Sequence, residues 1–316
     1  MIFEKPTEEF FQFRIPGLVV TEKGVLFACC ECRRYCEGNH DWSMIDLRIK
    51  RSADQGKTWE TVHTVESGGN TMNNPVLIVR GEEVHFLYCM NYRQLFHCVS
   101  TDGGSRWSDP VEITQPFENC GFSFCVLAVG PGHGIVHKGK LLIPIWFAHN
   151  PEDPKAHTPS FISTLYSEDG IHWKLGEVLG KDVLCNASEC ALAVTKENKV
   201  LISIRNESKL RALAVSQTGY DGWENLHLEE NLPDPVCQGS MCYENGTVYH
   251  SNCCNTELRE DLTVKVSRDD FATFESIYVD KIAGYSDIAV QNGKLYVLYE
   301  QRWGSDGLHF QVIEVC

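Results

Sequence analysis

The sequence predicts an all-β protein built as a six-bladed β-propeller, and two repeating patterns support this prediction. Short stretches such as Ile45–Lys50 alternate apolar with polar residues, as half-buried strands do. A small polar turn followed directly by an apolar, β-rich strand occurs six times, at intervals of 47–59 residues. Six similar hairpins at this spacing are typical of six similar sheets arranged around an axis. The turns lie at Gly24, Gly81, Gly139, Asn198, Gly246 and Gly293.

A second repeat follows each of the first five hairpins. Ser52–Trp59 and Ser100–Trp107 share the pattern S-x-D-x-G-x-x-W, and Ser167–Trp173 is one residue shorter. Ser216–Trp223 and Ser267–Phe274 are diverged copies. The aspartate can accept backbone N–H groups, the glycine can adopt a positive φ, and the aromatic residue can pack into the sheet. We therefore interpret the repeats as structural turns and assign their aspartates no chemistry.

Composition and charge exclude several classes of protein. Six blades of about 50 residues each use the whole chain, which predicts a single domain over residues 1–316. A net charge of −15 argues against a nucleic-acid partner and an anionic membrane surface. No apolar run approaches the ~20 residues of a membrane helix. The start, MIFEKPTEEFF, lacks the features of a signal peptide and predicts a cytoplasmic protein, although a secreted chain with its leader removed would read the same.

The cysteines, fifteen in number, follow no regular framework. Without an export signal we expect their thiols to be mostly reduced and buried. The cluster Cys29, Cys30, Cys32 and Cys36 lacks the paired C-x2-C spacing of structural zinc sites, so we predict no metal there.

Several segments outside the repeats resemble motifs of the sialidase (neuraminidase) superfamily, in the family's order along the chain. They are Phe13–Pro16 (F-R-I-P), Gly130–Gly134 (G-P-G-x-G), Gln238–Ser240 (Q-G-S), Tyr285–Ile288 (Y-S-D-L) and Leu298–Glu300 (L-Y-E). The turn repeats likewise resemble the Asp boxes, or BNR repeats, of the same family. The resemblance implies a six-bladed propeller acting as a retaining exo-α-sialidase on sialylated glycans, with no metal or organic cofactor.

The resemblance implies three arginines that bind the substrate's carboxylate. Arginine suits a fixed anion because its guanidinium is always charged and pairs bidentately with a carboxylate. By motif position the three are Arg14 in F-R-I-P, Arg205 at the end of the predicted strand LISIR, and Arg259 just before the predicted strand DLTVKVS. Such a local cluster can bind an anion even in a chain of net charge −15.

The resemblance also implies a tyrosine nucleophile, which sialidases use where most retaining glycosidases use a carboxylate. A neutral phenol avoids repulsion by the substrate's carboxylate, but its pKa of about 10 requires a base. Tyr285 matches the nucleophile and Glu189 matches the glutamate that takes its proton.

The remaining predicted roles rest on the alignment of shorter segments. Asp41 is the predicted general acid and base, and Asp46 is the alternative, although its alternation with Ile45 and Leu47 favours a strand position. Arg33 is predicted to contact the C4 hydroxyl side of the sugar, with Arg34 as the alternative. Glu300 is predicted to orient Arg14.

Two alternative functions remain open. The same residues could serve transfer to another sugar or intramolecular closure to an anhydro sugar. A non-catalytic glycan-binding propeller is the other alternative, but it has no need of Tyr285, Glu189 and Asp41 together. No motif identifies the residues around the N-acyl group, so the C5 substituent, the linkage and the oligomeric state are not predicted.

Overall fold

The computed structural model describes residues 2–3, 7–37, 40–118, 120–269 and 271–315; Met1 and residues 4–6 of the N-terminal stretch used above lie outside it. Almost all of its regular structure is β-strand. The strands are β1 (Gln12–Val20), β2 (Leu26–Arg33), β3 (Ile45–Ser52), β4 (Glu60–Val65), β5 (Met72–Arg80), β6 (Glu83–Met90), β7 (Gln94–Ser100), β8 (Val111–Glu112), β9 (Val126–Val129), β10 (Gly132–His133), β11 (Ile135–His137), β12 (Lys140–Ala148), β13 (Ser160–Ser167), β14 (Trp173–Leu175), β15 (Cys190–Val194), β16 (Val200–Ile204), β17 (Leu210–Ser216), β18 (Glu224–Pro233), β19 (Ser240–Glu244), β20 (Thr247–Cys253), β21 (Glu260–Ser267), β22 (Glu275–Ile282), β23 (Ser286–Gln291), β24 (Lys294–Glu300) and β25 (Leu308–Glu314).

The strands form six sheets, which are the blades of a β-propeller. In chain order the blades are β1–β4, β5–β8, β11–β14, β15–β18, β19–β22 and β23–β25, and we number them one to six. The six predicted turns each join the first and second strands of a blade, so the predicted fold class is confirmed. An antiparallel bridge between Phe3 and Leu308 brings the N-terminal segment against the edge of blade six.

Burial falls from the inner to the outer strand of each blade. The inner strand β1 is buried along almost its whole length, and β2 is buried throughout. The outer strands β4, β18 and β22 are largely exposed. Strands that are buried on both faces have continuous apolar runs, whereas strands with one face in solvent alternate apolar and polar residues. The core therefore lies within and between the inner halves of the blades.

The inner strand of blade three is interrupted by the Gly130–Gly134 segment. Here β9 and β11 both pair with β12, whereas β10 between them crosses to blade two and pairs in parallel with β5. Close packing requires glycine at Gly134, where an added Cβ would lie 2.5 Å from the Leu142 carbonyl oxygen. The segment thus links neighbouring blades near the axis.

The Asp boxes form turns at the ends of the third strands of blades one to five, as predicted. In the first box, Gly56 N donates to Ser52 Oγ at 2.9 Å, and Thr58 N donates to Asp54 Oδ1 at 2.9 Å. The diverged fifth box keeps both bonds: Phe271 N lies 2.8 Å from Ser267 Oγ, and Thr273 N lies 2.9 Å from Asp269 Oδ1. Phe271 adopts a φ of 73° at the position where other boxes have glycine.

Three of the family-like motifs meet on the propeller axis at Asp287. Its carboxylate accepts hydrogen bonds from Ser240 Oγ at 2.5 Å and Leu18 N at 2.6 Å, and contacts His133 Nδ1 at 2.7 Å. Gln238 Oε1 accepts a bond from Ser286 N at 3.0 Å. The Q-G-S, G-P-G-H-G and Y-S-D-I segments are therefore joined to one another and to the inner strand of blade one.

Helix within the described ranges is limited to three short 3-10 turns, His40–Trp42, Gln115–Phe117 and Arg302–Gly304. None of the described helices has the length and apolarity required to cross a membrane.

The described cysteines are free thiols, and most of them are buried. Cys30 and Cys32 lie on one side of β2, with their sulfurs 4.0 Å apart, and Cys29 lies on the other side because side chains alternate along a strand. Cys36 instead contacts His40 Nδ1 at 3.4 Å. Among the described residues no group of three or more His, Cys, Asp or Glu is arranged to hold a metal ion.

Candidate active site

A cleft with an empty volume of about 780 Å³ opens at one end of the propeller. Its walls are formed where the first strand of a blade begins and where the second strand ends. These two strands are antiparallel, so the start of one and the end of the other lie at the same edge of the blade. All the predicted site residues except Glu300 line this cleft. Those residues are Arg14, Arg33, Asp41, Glu189, Arg205, Arg259 and Tyr285.

Arg14 is paired with Glu300, the residue predicted to orient it. Its Nε and Nη2 lie 3.2 and 3.1 Å from the two carboxylate oxygens of Glu300, and both side chains are buried. The backbone assists, because the register of β1 shifts after Arg14 and Ile15 adopts a φ of 60°. Ile15 N then donates to Glu300 Oε1 at 2.8 Å. Glu300 thus fixes both the side chain of Arg14 and the irregular backbone beside it.

Tyr285 and Glu189 form a short hydrogen-bonded pair in the cleft. The phenol oxygen lies 2.6 and 2.8 Å from the two carboxylate oxygens of Glu189. Arg205 Nη1 contacts Glu189 and donates to the Tyr285 oxygen at 2.9 Å. Burial, together with the Glu189 carboxylate, raises the pKa of Tyr285, although Arg205 and other arginines oppose the shift. The phenol is therefore neutral at rest and has an acceptor for its proton within reach.

Arg33 lies between two carboxylates. Its Nε bonds to Glu31 Oε2 at 2.8 Å and its Nη1 bonds to Asp41 Oδ1 at 2.7 Å. Glu31 also accepts Asn74 N at 2.9 Å, which connects blades one and two. Burial raises the pKa of the Asp41 carboxyl, but the charges of Arg33 and Arg14 outweigh it and lower that pKa below its usual value. Asp41 is therefore ionised at neutral pH.

The two alternatives considered from the sequence lie elsewhere. Arg34 Nη2 and Asp46 Oδ2 pair with each other at 2.7 Å, and Asp46 also accepts Ser67 N at 2.9 Å. Neither side chain lines the cleft. Asp46 belongs to β3, in agreement with its alternating pattern.

Arg205 and Arg259 complete the arginine-rich wall. Burial lowers the pKa of Arg205, but the carboxylate of Glu189 outweighs this and raises it. Arg205 Nε is buried and has no hydrogen-bond partner among the described residues. Arg259 Nη2 makes a long contact of 3.4 Å to the carbonyl oxygen of Val236. Both guanidiniums thus remain charged and retain N–H groups for a ligand.

The wall formed by blades two and three contains residues that the sequence did not reveal. Tyr92, Trp146 and His157 lie close together, with ring centroids 5.0 Å (Tyr92–His157) and 5.3 Å (Trp146–His157) apart. Trp146 Nε1, His157 Nε2 and Ser160 Oγ are buried atoms without a hydrogen-bond partner among the described residues. No motif lies next to these residues, and a tryptophan near the end of an apolar strand would be interpreted as a core residue.

Trp303 is a second residue that sequence reasoning missed. It lies in the 3-10 turn after β24, and its ring faces the guanidiniums of Arg14 and Arg259. The neighbouring L-Y-E motif was recognised, but nothing in the sequence marks the residue three positions after Glu300.

Comparison with known proteins places the chain in a family. A model of the BNR repeat-like domain matches residues 24–297. A sialidase of Bacteroides fragilis is 27% identical over 305 residues, which cover 83% of this chain and 54% of that protein. An exo-alpha-sialidase of Arthroderma benhamiae is 26% identical over 348 residues, covering 94% of this chain and 80% of that protein. The chain thus spans about half the length of the Bacteroides relative and most of the Arthroderma relative.

Among solved structures, the Hadza microbial sialidase Hz136 matches with a TM-score of 0.83 at 24% identity. The match covers 97% of this chain and 66% of that one, and at this identity it demonstrates a common fold. Because the BNR repeat-like model covers most of the sequence, the chain belongs to the BNR repeat-like family of the sialidase superfamily.

Proposed function

We propose that the protein is a retaining exo-α-sialidase that releases terminal sialic acids from glycoconjugates. The observation that carries the proposal is the pair of Tyr285 and Glu189, joined at 2.6 Å in a cleft lined by arginines. The names of the relatives, sialidase and exo-alpha-sialidase, support the same substrate class.

The arginine wall suits the carboxylate of a sialoside. Arg14, Arg205 and Arg259 come from blades one, four and five and line one cleft. The guanidinium of Arg14 is oriented by Glu300, and Arg205 has an unpartnered Nε among the described residues. A carboxylate bound here gains charge-assisted hydrogen bonds in a partly buried setting, where such bonds are stronger than in water.

The rest of the sugar then extends toward blades two and three. That side offers polar atoms of Trp146, His157 and Ser160, which have no hydrogen-bond partner in the described part of the chain, beside aromatic rings. Burial lowers the pKa of His157, so its imidazole is neutral and can donate or accept one hydrogen bond to a hydroxyl or amide. A ring with polar substituents satisfies these groups, whereas a simple anion leaves them without partners.

In the first chemical step the Tyr285 oxygen attacks the anomeric carbon while Glu189 takes the phenol proton. A phenol with a raised pKa is a weak nucleophile unless its proton leaves as the new bond forms. The 2.6 Å contact allows that transfer without movement. The arginines stabilise negative charge that develops on the phenol oxygen.

Asp41 acts as the acid that protonates the departing glycosidic oxygen. Before substrate binds, this carboxyl is ionised because Arg33 and Arg14 lower its pKa. A bound sialoside neutralises part of the charge of Arg14, and this change raises the pKa of Asp41 toward that of a usable acid. After the aglycone leaves, the Asp41 carboxylate activates a water that hydrolyses the glycosyl-tyrosine bond.

Retention of configuration is the test of the two-step mechanism. We expect the protein to hydrolyse an α-linked 4-methylumbelliferyl sialoside and to release the sugar first as the α-anomer in proton NMR. The first appearance of the β-anomer would contradict the Tyr285 mechanism. A 2,7-anhydro product would indicate intramolecular closure, and saturable binding without turnover would indicate a glycan-binding protein.

A further inference from the structure

Trp303 covers two of the arginines at the carboxylate end of the cleft. Its ring centroid lies 4.1 Å from the guanidinium carbon of Arg259 and 5.3 Å from that of Arg14. The residue is still 54% exposed, so a large apolar ring stays at the mouth of a polar cleft.

Tyr285 contributes a second ring to the same two guanidiniums. The guanidinium carbons of Arg14 and Arg259 lie 5.1 and 5.2 Å from its centroid. Each of the two cations therefore contacts both aromatic rings. A guanidinium covered on its face keeps its N–H bonds free at its edges, because these bonds lie in the plane of the group. Carboxylates bind guanidiniums at those edges.

The turn that carries Trp303 is held against Arg14 by an unusual backbone. Arg302 and Trp303 adopt φ values of 47° and 58°, in the left-handed region that non-glycine residues rarely occupy. The next residue, Gly304, packs so closely that an added Cβ would lie 2.2 Å from the Phe13 carbonyl oxygen and 2.8 Å from Arg14 Cγ. Strain of this kind persists where surrounding structure imposes it, often beside functional groups.

We propose that Trp303 is a positioning residue that determines the affinity of the cleft for a carboxylate. Its ring holds Arg14 and Arg259 with their N–H edges directed to the ligand and limits the access of water to their faces. The inference rests on the proposed function, because it assumes that the arginines bind a sialic acid carboxylate.

The experiment compares two ligands that differ only at the carboxylate. They are 2-deoxy-2,3-didehydro-N-acetylneuraminic acid and its carboxamide, titrated calorimetrically into the native protein and into Trp303→Ala and Trp303→Phe. For the acid we expect about a 10-fold loss of affinity with Trp303→Ala and a small loss with Trp303→Phe. For the carboxamide we expect little change in either variant. In turnover, Trp303→Ala should raise KM while kcat changes little.

Because the side chain of Trp303 is exposed, we expect its replacement to leave the folded structure intact. Thermal unfolding of each variant provides the check, and Tyr278→Ala, which truncates a similarly exposed ring on the outer strand β22, is the matched control. Equal losses for the acid and the carboxamide would overturn the inference, and so would unchanged affinity for the acid. A loss confined to glycosides with large aglycones would also overturn it, since the ring would then contact the leaving group. Failure of the native protein to bind the acid at all would overturn the proposed function, and this inference with it.

Discussion

In the proposed mechanism, Glu189 determines whether Tyr285 can act as a nucleophile. Both of its carboxylate oxygens lie within 2.8 Å of the phenol oxygen, and burial makes the unassisted loss of the phenol proton unfavourable. Arg205 contacts both partners and stabilises the charge that moves between them. We therefore propose that the unit functions through all three side chains.

Replacing Glu189 by glutamine removes the proton acceptor but keeps the size and shape of the side chain. We expect Glu189→Gln to lower kcat by about 10²–10⁴-fold, the usual contribution of a positioned base. Steady-state hydrolysis of the umbelliferyl sialoside measures this, with Glu275→Gln on the outer strand β22 as control. Full activity of Glu189→Gln would show that the phenol proton goes elsewhere.

Asp41→Asn tests the acid by the dependence on leaving group. A 4-nitrophenyl group departs without protonation, but the sugar of sialyllactose does not, so we expect the variant to lose far more activity on sialyllactose. For the native protein, kcat/KM on sialyllactose should rise as the pH falls from neutral, because the lowered pKa of Asp41 keeps its acid form scarce near pH 7. This rise in kcat/KM at lower pH should be absent in Asp41→Asn. Equal losses on both substrates would contradict the assignment.

Individual site residues could be predicted where they lie within a recognisable motif. Arg14, Tyr285 and Glu300 lie in segments with distinctive neighbours; the structure places Arg14 and Tyr285 in the wall of the cleft and Glu300 against Arg14. Trp303 and His157 have no such neighbours. Their positions depend on a left-handed turn and on the path of the β12–β13 connection, and neither leaves a periodic pattern in the sequence.

At the scale of elements, the Asp-box turns stabilise the blades by backbone geometry as well as by hydrogen bonds. Gly56 has a φ of 85°, and an added Cβ would lie 2.2 Å from the ring of Phe310 in blade six. The turn of blade one therefore packs directly on its neighbour. Gly246, in the β19–β20 hairpin, also has a φ of 85° but has nothing within 4 Å of an added Cβ.

This contrast separates backbone strain from steric overlap. We expect Gly246→Ala to lower the free energy of unfolding by about 1 kcal/mol, the cost of a left-handed alanine. Gly56→Ala should cost at least about 2 kcal/mol, because overpacking adds to that strain. Urea unfolding followed by tryptophan fluorescence gives both values. Equal losses would show that Phe310 moves aside without cost.

The hairpins and Asp boxes could be predicted because each has a local sequence signature: a polar turn before an apolar strand in the hairpins, and the S-x-D-x-G-x-x-W pattern in the boxes. The parallel pairing of β10 with β5 could not, since it involves only Gly132–His133 and Val76–Leu77 and arises from the packing of blades. The 3-10 turn His40–Trp42, which carries Asp41, is likewise too short for a periodic signal.

For the whole molecule, the Asp287 cluster connects the blades beneath the candidate active site. Burial lowers the pKa of His133, but the carboxylate of Asp287 at 2.7 Å outweighs this and raises it. A histidine whose pKa is higher in the folded state stabilises the fold below its unfolded pKa, and this contribution is lost as the pH rises through the folded value.

The His133–Asp287 contact therefore predicts a pH-dependent stability. The free energy of unfolding of the native protein should exceed that of His133→Gln by more at pH 6 than at pH 9. Chemical unfolding at the two pH values measures the difference, and a constant gap would refute the linkage.

The order of the blades was predictable because six hairpins recur along the chain, but the contacts between blades were not. The pairing of Phe3 with Leu308 and the meeting of three motifs at Asp287 join residues far apart in sequence. Only the folded propeller brings them together. The resemblance to the sialidase superfamily implied roles for the predicted residues of the cleft, but it implied none for the G-P-G-x-G and Q-G-S segments.

The most direct test of the account is to trap the glycosyl-enzyme with 2,3-difluorosialic acid and locate the label by mass spectrometry of proteolytic fragments. Fluorine beside the anomeric carbon slows both steps, and the fluoride leaving group allows the first to proceed, so the intermediate accumulates. The account predicts one added sugar on the peptide containing Tyr285, and no label in Tyr285→Phe. A label on Glu189 or Asp41, or an unlabelled protein that still turns over sialosides, would contradict it.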